Sequence, residues 1–77
     1  MEEEEKDYYQ SIEARNKQLL LLRIAILATE EMPELLDLQV LNDEETVLIT
    51  YYGGNTKRVN IECDGNLAMF RDVLKAL

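Results

Sequence analysis

The chain contains an almost uninterrupted apolar stretch at residues 19–28, Leu-Leu-Leu-Leu-Arg-Ile-Ala-Ile-Leu-Ala, in which Arg23 is the sole polar residue. The stretch belongs to a predicted helix that is apolar on nearly every side. A surface helix of a small domain needs only one apolar stripe, so this helix has to be covered on more than one side. Because a chain of 77 residues offers little cover, we predict that a second copy or a partner buries the remainder.

Length and cysteine content support oligomerisation. Residues 1–77 form a single domain, and a domain of this size is only marginally stable on its own. Cys63 is the only cysteine and histidine is absent, so neither an internal disulfide nor an ordinary zinc site can form. Of the devices that stabilise small domains, oligomerisation remains. A lone cysteine also suits a reducing compartment, so we expect a cytoplasmic protein.

The charge balance restricts the partners. The net charge is −8, from 16 acidic and 8 basic residues, whereas nucleic acids and anionic membranes are bound by basic surfaces. We therefore expect a protein partner and no direct binding of nucleic acid. The acidic charge is compatible with a basic partner. The apolar run is far shorter than the ~20 residues that cross a bilayer, and an acidic N-terminus is unlike a secretory leader.

The first element is predicted to be a long helix. Helical periodicity begins at Tyr8, and Pro33 ends the helix because the residue before a proline is excluded from the α region. A helix over about residues 6–31 would be roughly 39 Å long. Residues 1–6 include four consecutive glutamates, whose mutual repulsion predicts a frayed acidic start.

After Pro33 the apolar period changes from 3.6 to 2, which predicts three strands. The first strand contains Leu36, Leu38 and Val40, the second covers residues 46–52 and the third covers residues 57–63. A turn at residues 42–45 joins the first two strands, and a glycine-containing loop joins the last two.

The register of the second hairpin is predicted from its faces. A three-residue loop, Gly53 to Asn55, places Ile49 opposite Val59 and Val47 opposite Ile61, which keeps the apolar residues on one face. Asn55 suits the left-handed conformation that such loops require.

A short helix at residues 66–77 follows, with a cap offered by Asp64-Gly65-Asn66. Its apolar stripe is predicted to contain Leu67, Phe70, Leu74 and Leu77. The whole pattern predicts an α+β fold: a long N-terminal helix, a three-stranded antiparallel β-meander and a short C-terminal helix, in the order α-β-β-β-α.

The residue types argue against catalysis. Without histidine, no Ser-His-Asp or Cys-His nucleophile can be built. Cys63 is predicted to face inward from the third strand, beside Val59 and Ile61, as a small core residue. The acidic residues lie in stretches that read as exposed, and no EF-hand spacing is present. We therefore predict no catalytic residue, no cofactor and no metal.

Two surfaces are predicted to bind proteins. A two-fold homodimer would use the apolar helix, and its interface residues are Leu19, Leu20, Ile24 and Leu27. A partner surface combines a mixed sheet face with the acids around Pro33; its residues are Leu48, Tyr52, Arg58, Glu30, Glu31, Glu34 and Asp37.

The function that follows is a non-enzymatic, acidic interaction or accessory protein that acts as a homodimer and binds another protein. The alternative is an acidic inhibitor or decoy whose carboxylates imitate the phosphates of nucleic acid and block the basic groove of a nucleic-acid-binding enzyme. Phage-encoded anti-restriction and anti-CRISPR proteins share this charge and size, and the comparison extends no further than those two properties.

Overall fold

A computed structural model describes residues 11–77. The strands form one antiparallel sheet in the order β1-β2-β3, and both helices pack on the same face of it, since one core cluster joins them to the strands. This architecture confirms the α-β-β-β-α order and the α+β class. The elements are α1 (Ile12–Ala28), β1 (Leu35–Val40), β2 (Thr46–Tyr51), β3 (Thr56–Asn60) and α2 (Asn66–Ala76).

Helix α1 is shorter than the sequence predicts. Ser11 is its N-cap, with extended backbone, and the Ser11 side chain accepts a hydrogen bond from the Ala14 N–H at 3.2 Å. The helix ends at Ala28, because Glu30 takes a positive φ of 61° and the Thr29 hydroxyl donates to the Ile26 carbonyl at 2.6 Å. The 17 helical residues span roughly 25 Å, so the prediction of a continuous 39 Å helix over residues 6–31 is wrong. Tyr8 and the acidic start lie outside the described residues.

Strand β1 contains a β-bulge that the alternation of apolar residues does not predict. Leu35 lies opposite Tyr51, yet Asp37 lies opposite Thr50, so Leu36 is an extra residue on its strand. The bulge restarts the alternation, and both Leu35 and Leu38 point into the core. The prediction that Leu36 shares the face of Leu38 is therefore wrong, although Val40 is buried as expected.

The second hairpin has a three-residue loop, as predicted, but the loop lies one residue earlier in the chain. Tyr51 and Asn55 close it, with the Tyr51 N–H donating to the Asn55 carbonyl at 2.9 Å. Val47 consequently pairs with Val59, and Ile49 pairs with Lys57.

This loop position corrects two predictions. The predicted pairs, Ile49 with Val59 and Val47 with Ile61, are wrong by two residues, a shift that leaves every side chain on its predicted face. Gly53 and Gly54, rather than Asn55, take the positive φ angles, 99° and 95°. Glycine adopts this conformation without steric cost, which favours the observed position of the loop.

Strand β3 ends at Asn60, three residues before the predicted end. Val59 and Ile61 are buried as predicted. Cys63, however, is exposed and has a φ of 65°, in a turn closed by the Asp64 N–H donating to the Ile61 carbonyl at 2.9 Å. The prediction that Cys63 is a core residue is therefore wrong, because the chain leaves the sheet before its side chain can point inward.

Helix α2 faces the sheet with a different apolar stripe from the one that the sequence predicts. Met69 and Val73 are fully buried, whereas Leu67 is 83% exposed and Leu74 is half exposed. Both stripes of this helix are apolar, so periodicity alone does not decide which one faces the sheet. Its N-cap is Gly65, which makes no side-chain hydrogen bond. The remaining buried core residues come from α1, from all three strands and from the residue that follows β3; they are Leu19, Ile26, Leu35, Leu38, Val40, Val47, Ile49, Val59 and Ile61.

Candidate functional site

The outer face of the sheet lies opposite both helices. A row of side chains crosses it, in which Gln39 of β1 pairs with Leu48 of β2 and Leu48 pairs with Arg58 of β3. Gln39 and Arg58 are exposed and Leu48 is half buried. An aliphatic side chain beside a guanidinium gives this face the mixed character of a protein-binding surface.

The structure brings together five of the seven predicted partner residues. Leu48 and Arg58 are direct neighbours, and Asp37 pairs with Thr50 on the same face. The Tyr52 N–H donates to the Glu34 carbonyl at 2.8 Å, which places both residues beside this face, at the end of the sheet that carries the β2–β3 loop.

The other two predicted partner residues lie elsewhere. Glu30 is in the turn after α1. Glu31 lines a separate cleft of about 350 Å³ between the ends of the two helices, together with Ile26, Met32, Leu74 and Leu77.

Side chains of α1 cover the outer edge of β1. The Asn16 Oδ1 accepts a hydrogen bond from the Val40 N–H at 2.8 Å, and the Arg23 Nε donates to the carbonyl of the bulged Leu36 at 2.7 Å. The two contacts lie two helical turns apart, so α1 runs antiparallel to β1 along its edge. A bulge and a covering helix are both devices that keep an edge strand from pairing with another chain.

Helix α1 also has an exposed apolar face. Leu20, Leu21 and Ile24 are 50%, 60% and 54% exposed, and the small residues Ala25 and Ala28 beside them are exposed as well. At 100° per residue these five positions form one continuous arc of the helix.

This arc divides the four predicted dimer residues. Leu20 and Ile24 lie on it, whereas Leu19 is fully buried in the core and Leu27 packs partly against the core. Sequence reasoning missed Leu21, Ala25 and Ala28, although their spacing from Leu20 and Ile24 carried the signal.

A second cleft, of about 440 Å³, lies at the end of the sheet that carries the β1–β2 turn, away from the β2–β3 loop, and the buried Arg15 lines it. Arg15 is 6% exposed, and its guanidinium donates to the Asp64 carbonyl and to the Met69 sulfur. The other lining residues are mostly acidic; they are Ser11, Asp43, Glu44, Glu45, Ile61, Glu62, Cys63 and Asp64.

Two carboxyl groups near this cleft, those of Asp64 and Asp72, shift each other's pKa in opposite directions. A side-chain hydrogen bond with Asp72, followed by burial and the negative charge of Asp72, raises the pKa of Asp64. The same hydrogen bond, together with one from Arg71, lowers the pKa of Asp72. The Asp64 Oδ2 is buried and accepts no hydrogen bond from a described residue, which adds to the cost of charging this carboxyl group.

Asp43 organises the acidic turn. Its carboxylate accepts hydrogen bonds from the Glu45 N–H at 2.9 Å and from the Thr46 N–H at 3.1 Å, and from the Thr46 hydroxyl at 2.8 Å. These bonds, with that of Glu45 the largest contribution, lower the pKa of Asp43. Its role is therefore to fix the turn that carries Glu44 and Glu45.

Within residues 11–77, no group of three or more histidine, cysteine, aspartate or glutamate side chains is placed to hold a metal ion. In the same part of the chain, no helix has both the length and the apolar character to cross a membrane.

The fold and these surfaces define a two-layer α+β domain with an exposed apolar helix face and an open sheet face. The chain matches no protein-family model, and no curated protein and no solved structure is significantly similar to it.

Proposed function

We propose that this chain is a non-enzymatic, cytoplasmic interaction protein that forms a homodimer through α1 and binds another protein on the outer face of its sheet. The observation that supports self-association is the arc of Leu20, Leu21 and Ile24, three large aliphatic side chains at least half exposed side by side. Full burial of such a side chain contributes about 1.5–3 kcal/mol. A two-fold interface uses each of them twice.

The charge distribution supports the same interface. The chain carries a net charge of −8, yet the arc from Leu20 to Ala28 contains no charged residue. At the start of the helix, Glu13 and Lys17 form an exposed pair at 3.6 Å and balance each other. Two copies can therefore meet along residues 20–28 of α1 without bringing an unbalanced carboxylate into contact.

Substitution of the arc tests the dimer. We expect wild-type protein to elute as a dimer in size-exclusion chromatography with light scattering, and Leu20→Glu and Ile24→Glu to elute as monomers, with self-affinity at least about 100-fold weaker. Leu67→Glu is the matched control, because Leu67 is even more exposed but lies on α2; it should remain dimeric. A wild-type monomer at every concentration, or a dimeric Leu20→Glu variant, contradicts the proposal.

The acidic decoy is a second candidate function, and one observation favours it. The cleft around Arg15 gathers Asp43, Glu44 and Glu45 from one turn with Glu62 from another, so acids that are distant in sequence form one surface. Such a surface complements a basic groove, and its binding would weaken steeply with added salt.

A further inference from the structure

We infer that the outer edge of β3 is a docking site for an extended, acidic segment of a partner protein, which adds to the sheet as a fourth strand. This inference rests on the partner-binding half of the proposed function and does not require self-association.

The backbone of β3 alternates between bonded and free groups. The Tyr51 N–H bonds the Asn55 carbonyl, and the Ile61 N–H bonds the Glu45 carbonyl at 2.7 Å, so odd-numbered residues of β3 exchange hydrogen bonds with β2. The N–H and C=O groups of the even-numbered residues consequently point away from the sheet; these residues are Thr56, Arg58 and Asn60. No described residue donates to or accepts from these outward groups.

Strand β1 differs from β3, because two of its outward backbone groups are already hydrogen-bonded. There, the Val40 N–H and the Leu36 carbonyl bond Asn16 and Arg23 of α1, and a bulge interrupts the strand. Strand β3 has no bulge in its pairing with β2, and α2 packs on its inner face. One edge of the sheet is therefore protected, and the other presents a regular row of donors and acceptors, as edges that accept a peptide strand do.

The charges on β3 select the partner. Lys57 and Arg58 are adjacent basic residues in a chain of net charge −8. Lys57 is already engaged, with its Nζ donating to the Ala76 carbonyl at 2.8 Å and lying 5.8 Å from the centre of the Tyr51 ring. The Arg58 side chain is exposed and makes no hydrogen bond or ion pair with any described residue; its charge makes only the smallest of the contributions to the lowered pKa of Asp43. Its guanidinium can therefore bind a carboxylate on an added strand.

The same charges exclude a second copy as the occupant. Basic residues on an edge strand discourage pairing between copies, because a second β3 brings another Lys57 and another Arg58 to the interface. A strand with an acidic residue opposite Arg58, on the outer face, turns this repulsion into attraction. Apolar residues at the alternate positions would face Val59.

The experiment uses backbone amide exchange, followed by nuclear magnetic resonance, on the full chain. In the free protein we expect fast exchange at Thr56, Arg58 and Asn60 and slow exchange at Val59. The probe is a capped heptapeptide in which valine and glutamate alternate, and its addition should slow the three fast amides at least about tenfold. Slow exchange of these amides in the free protein, or no slowing by the peptide, overturns the inference.

Charge reversal tests the choice of an acidic strand. Arg58→Glu should weaken binding of the valine–glutamate peptide about threefold to tenfold and should favour the corresponding valine–lysine peptide. Lys17→Glu, with the same change of charge on α1, should bind like wild type. Equal effects of the two variants contradict the assignment to β3.

Repeating the titration with Leu20→Glu separates the two proposals. Binding retained by this variant shows that the β3 site acts without the α1 dimer. Binding lost with an intact fold shows that the site depends on the dimer and overturns the inference as stated.

Discussion

At the scale of single residues, Arg15 determines one end of the molecule. Its buried guanidinium links α1 to α2 through the Met69 sulfur and to the turn after β3 through the Asp64 carbonyl. A buried charge is tolerated only when it is hydrogen-bonded, and here the turn supplies a backbone acceptor. That arrangement also holds the segment with Cys63 away from the sheet.

Asp64 gives a prediction with a defined pH dependence. Because its pKa is raised in the folded protein, the native state holds this proton more tightly than the unfolded chain does, and stability is lost as the pH rises through that range. Asp64→Asn imitates the protonated group. We expect the melting temperature at pH 7 to rise by about 2–5 °C and the difference from wild type to vanish below about pH 4.

Asp43→Asn serves as a control of opposite sign. The lowered pKa of Asp43 means that its charged form supports folding above the ordinary range of an aspartate and that this support is lost as the pH falls. The variant should therefore be less stable than wild type at pH 7. Thermal melts from pH 3 to pH 8 measure both; a destabilised Asp64→Asn at pH 7 would show that the burial of Asp64 and its repulsion by Asp72 do not limit stability.

Residue-scale features were the hardest to predict from the sequence. Arg15 appears there only as an interruption of an apolar stripe, since its acceptors are a distant carbonyl and a thioether that no local pattern reveals. Cys63 was assigned to the core by extending an alternation that Val59 and Ile61 obey. The alternation ended because the chain turned, and the positive φ of Cys63 has no signature in its residue type.

At the scale of elements, α1 serves as both a core helix and the cover of β1. Asn16 supplies the acceptor for the Val40 N–H, so Asn16→Ala leaves a partly buried donor without its partner. We expect a loss of about 1–2 kcal/mol in the free energy of unfolding, measured by urea denaturation, and faster exchange of the Val40 amide.

Gln18→Ala is the matched control, because Gln18 lies on the same helix and its side chain makes no hydrogen bond with a described residue. Its effect should stay within about 0.5 kcal/mol. Equal stability of the two variants would mean that Asn16 does not protect the edge of β1.

The sequence predicted the type and order of the elements well, and the residues at which they begin and end less well. The change of apolar period at Pro33 indicated where helix gives way to sheet, and the faces of β2 and β3 were assigned correctly. The register was predicted incorrectly, because loops at residues 52–54 and 53–55 put the same side chains on the buried face. They differ in which residues pair across the strands and in which residues take a positive φ. The bulge at Leu36 was invisible because two leucines are adjacent there, and either can continue the alternation.

The residues of the two proposed surfaces were predicted only in part. Leu20 and Ile24 are exposed as a dimer interface requires, whereas Leu19 belongs to the core. An apolar helix does not reveal which of its stripes the sheet covers. The edge of β3 could not be found from composition, since it depends on which backbone groups remain unpaired.

At the scale of the whole molecule, the net charge opposes self-association, whereas the exposed apolar area favours it. Two copies of net charge −8 repel each other at long range, and salt screens that repulsion. We expect the dimer to be as tight or tighter when sodium chloride is raised from about 0.05 M to about 0.5 M, as measured by light scattering over a concentration series.

Binding to a basic protein through the acidic cleft should respond in the opposite way, weakening at least about tenfold over the same range of salt. The two responses distinguish the dimer from the decoy with one protein preparation. A dimer that dissociates in high salt would be held by ion pairs, and the α1 arc would then be the wrong interface.

The meander has a consequence for how the chain acquires its structure. α1 packs on β1, β1 pairs with β2, β2 pairs with β3, and β3 packs against α2, so nearly every major contact joins consecutive elements. Short sequence separation lowers the entropy lost in closing each loop, and topologies of this kind fold rapidly. We therefore expect the edge of β3 and the apolar face of α1 to form early in folding, before slower encounters with other chains.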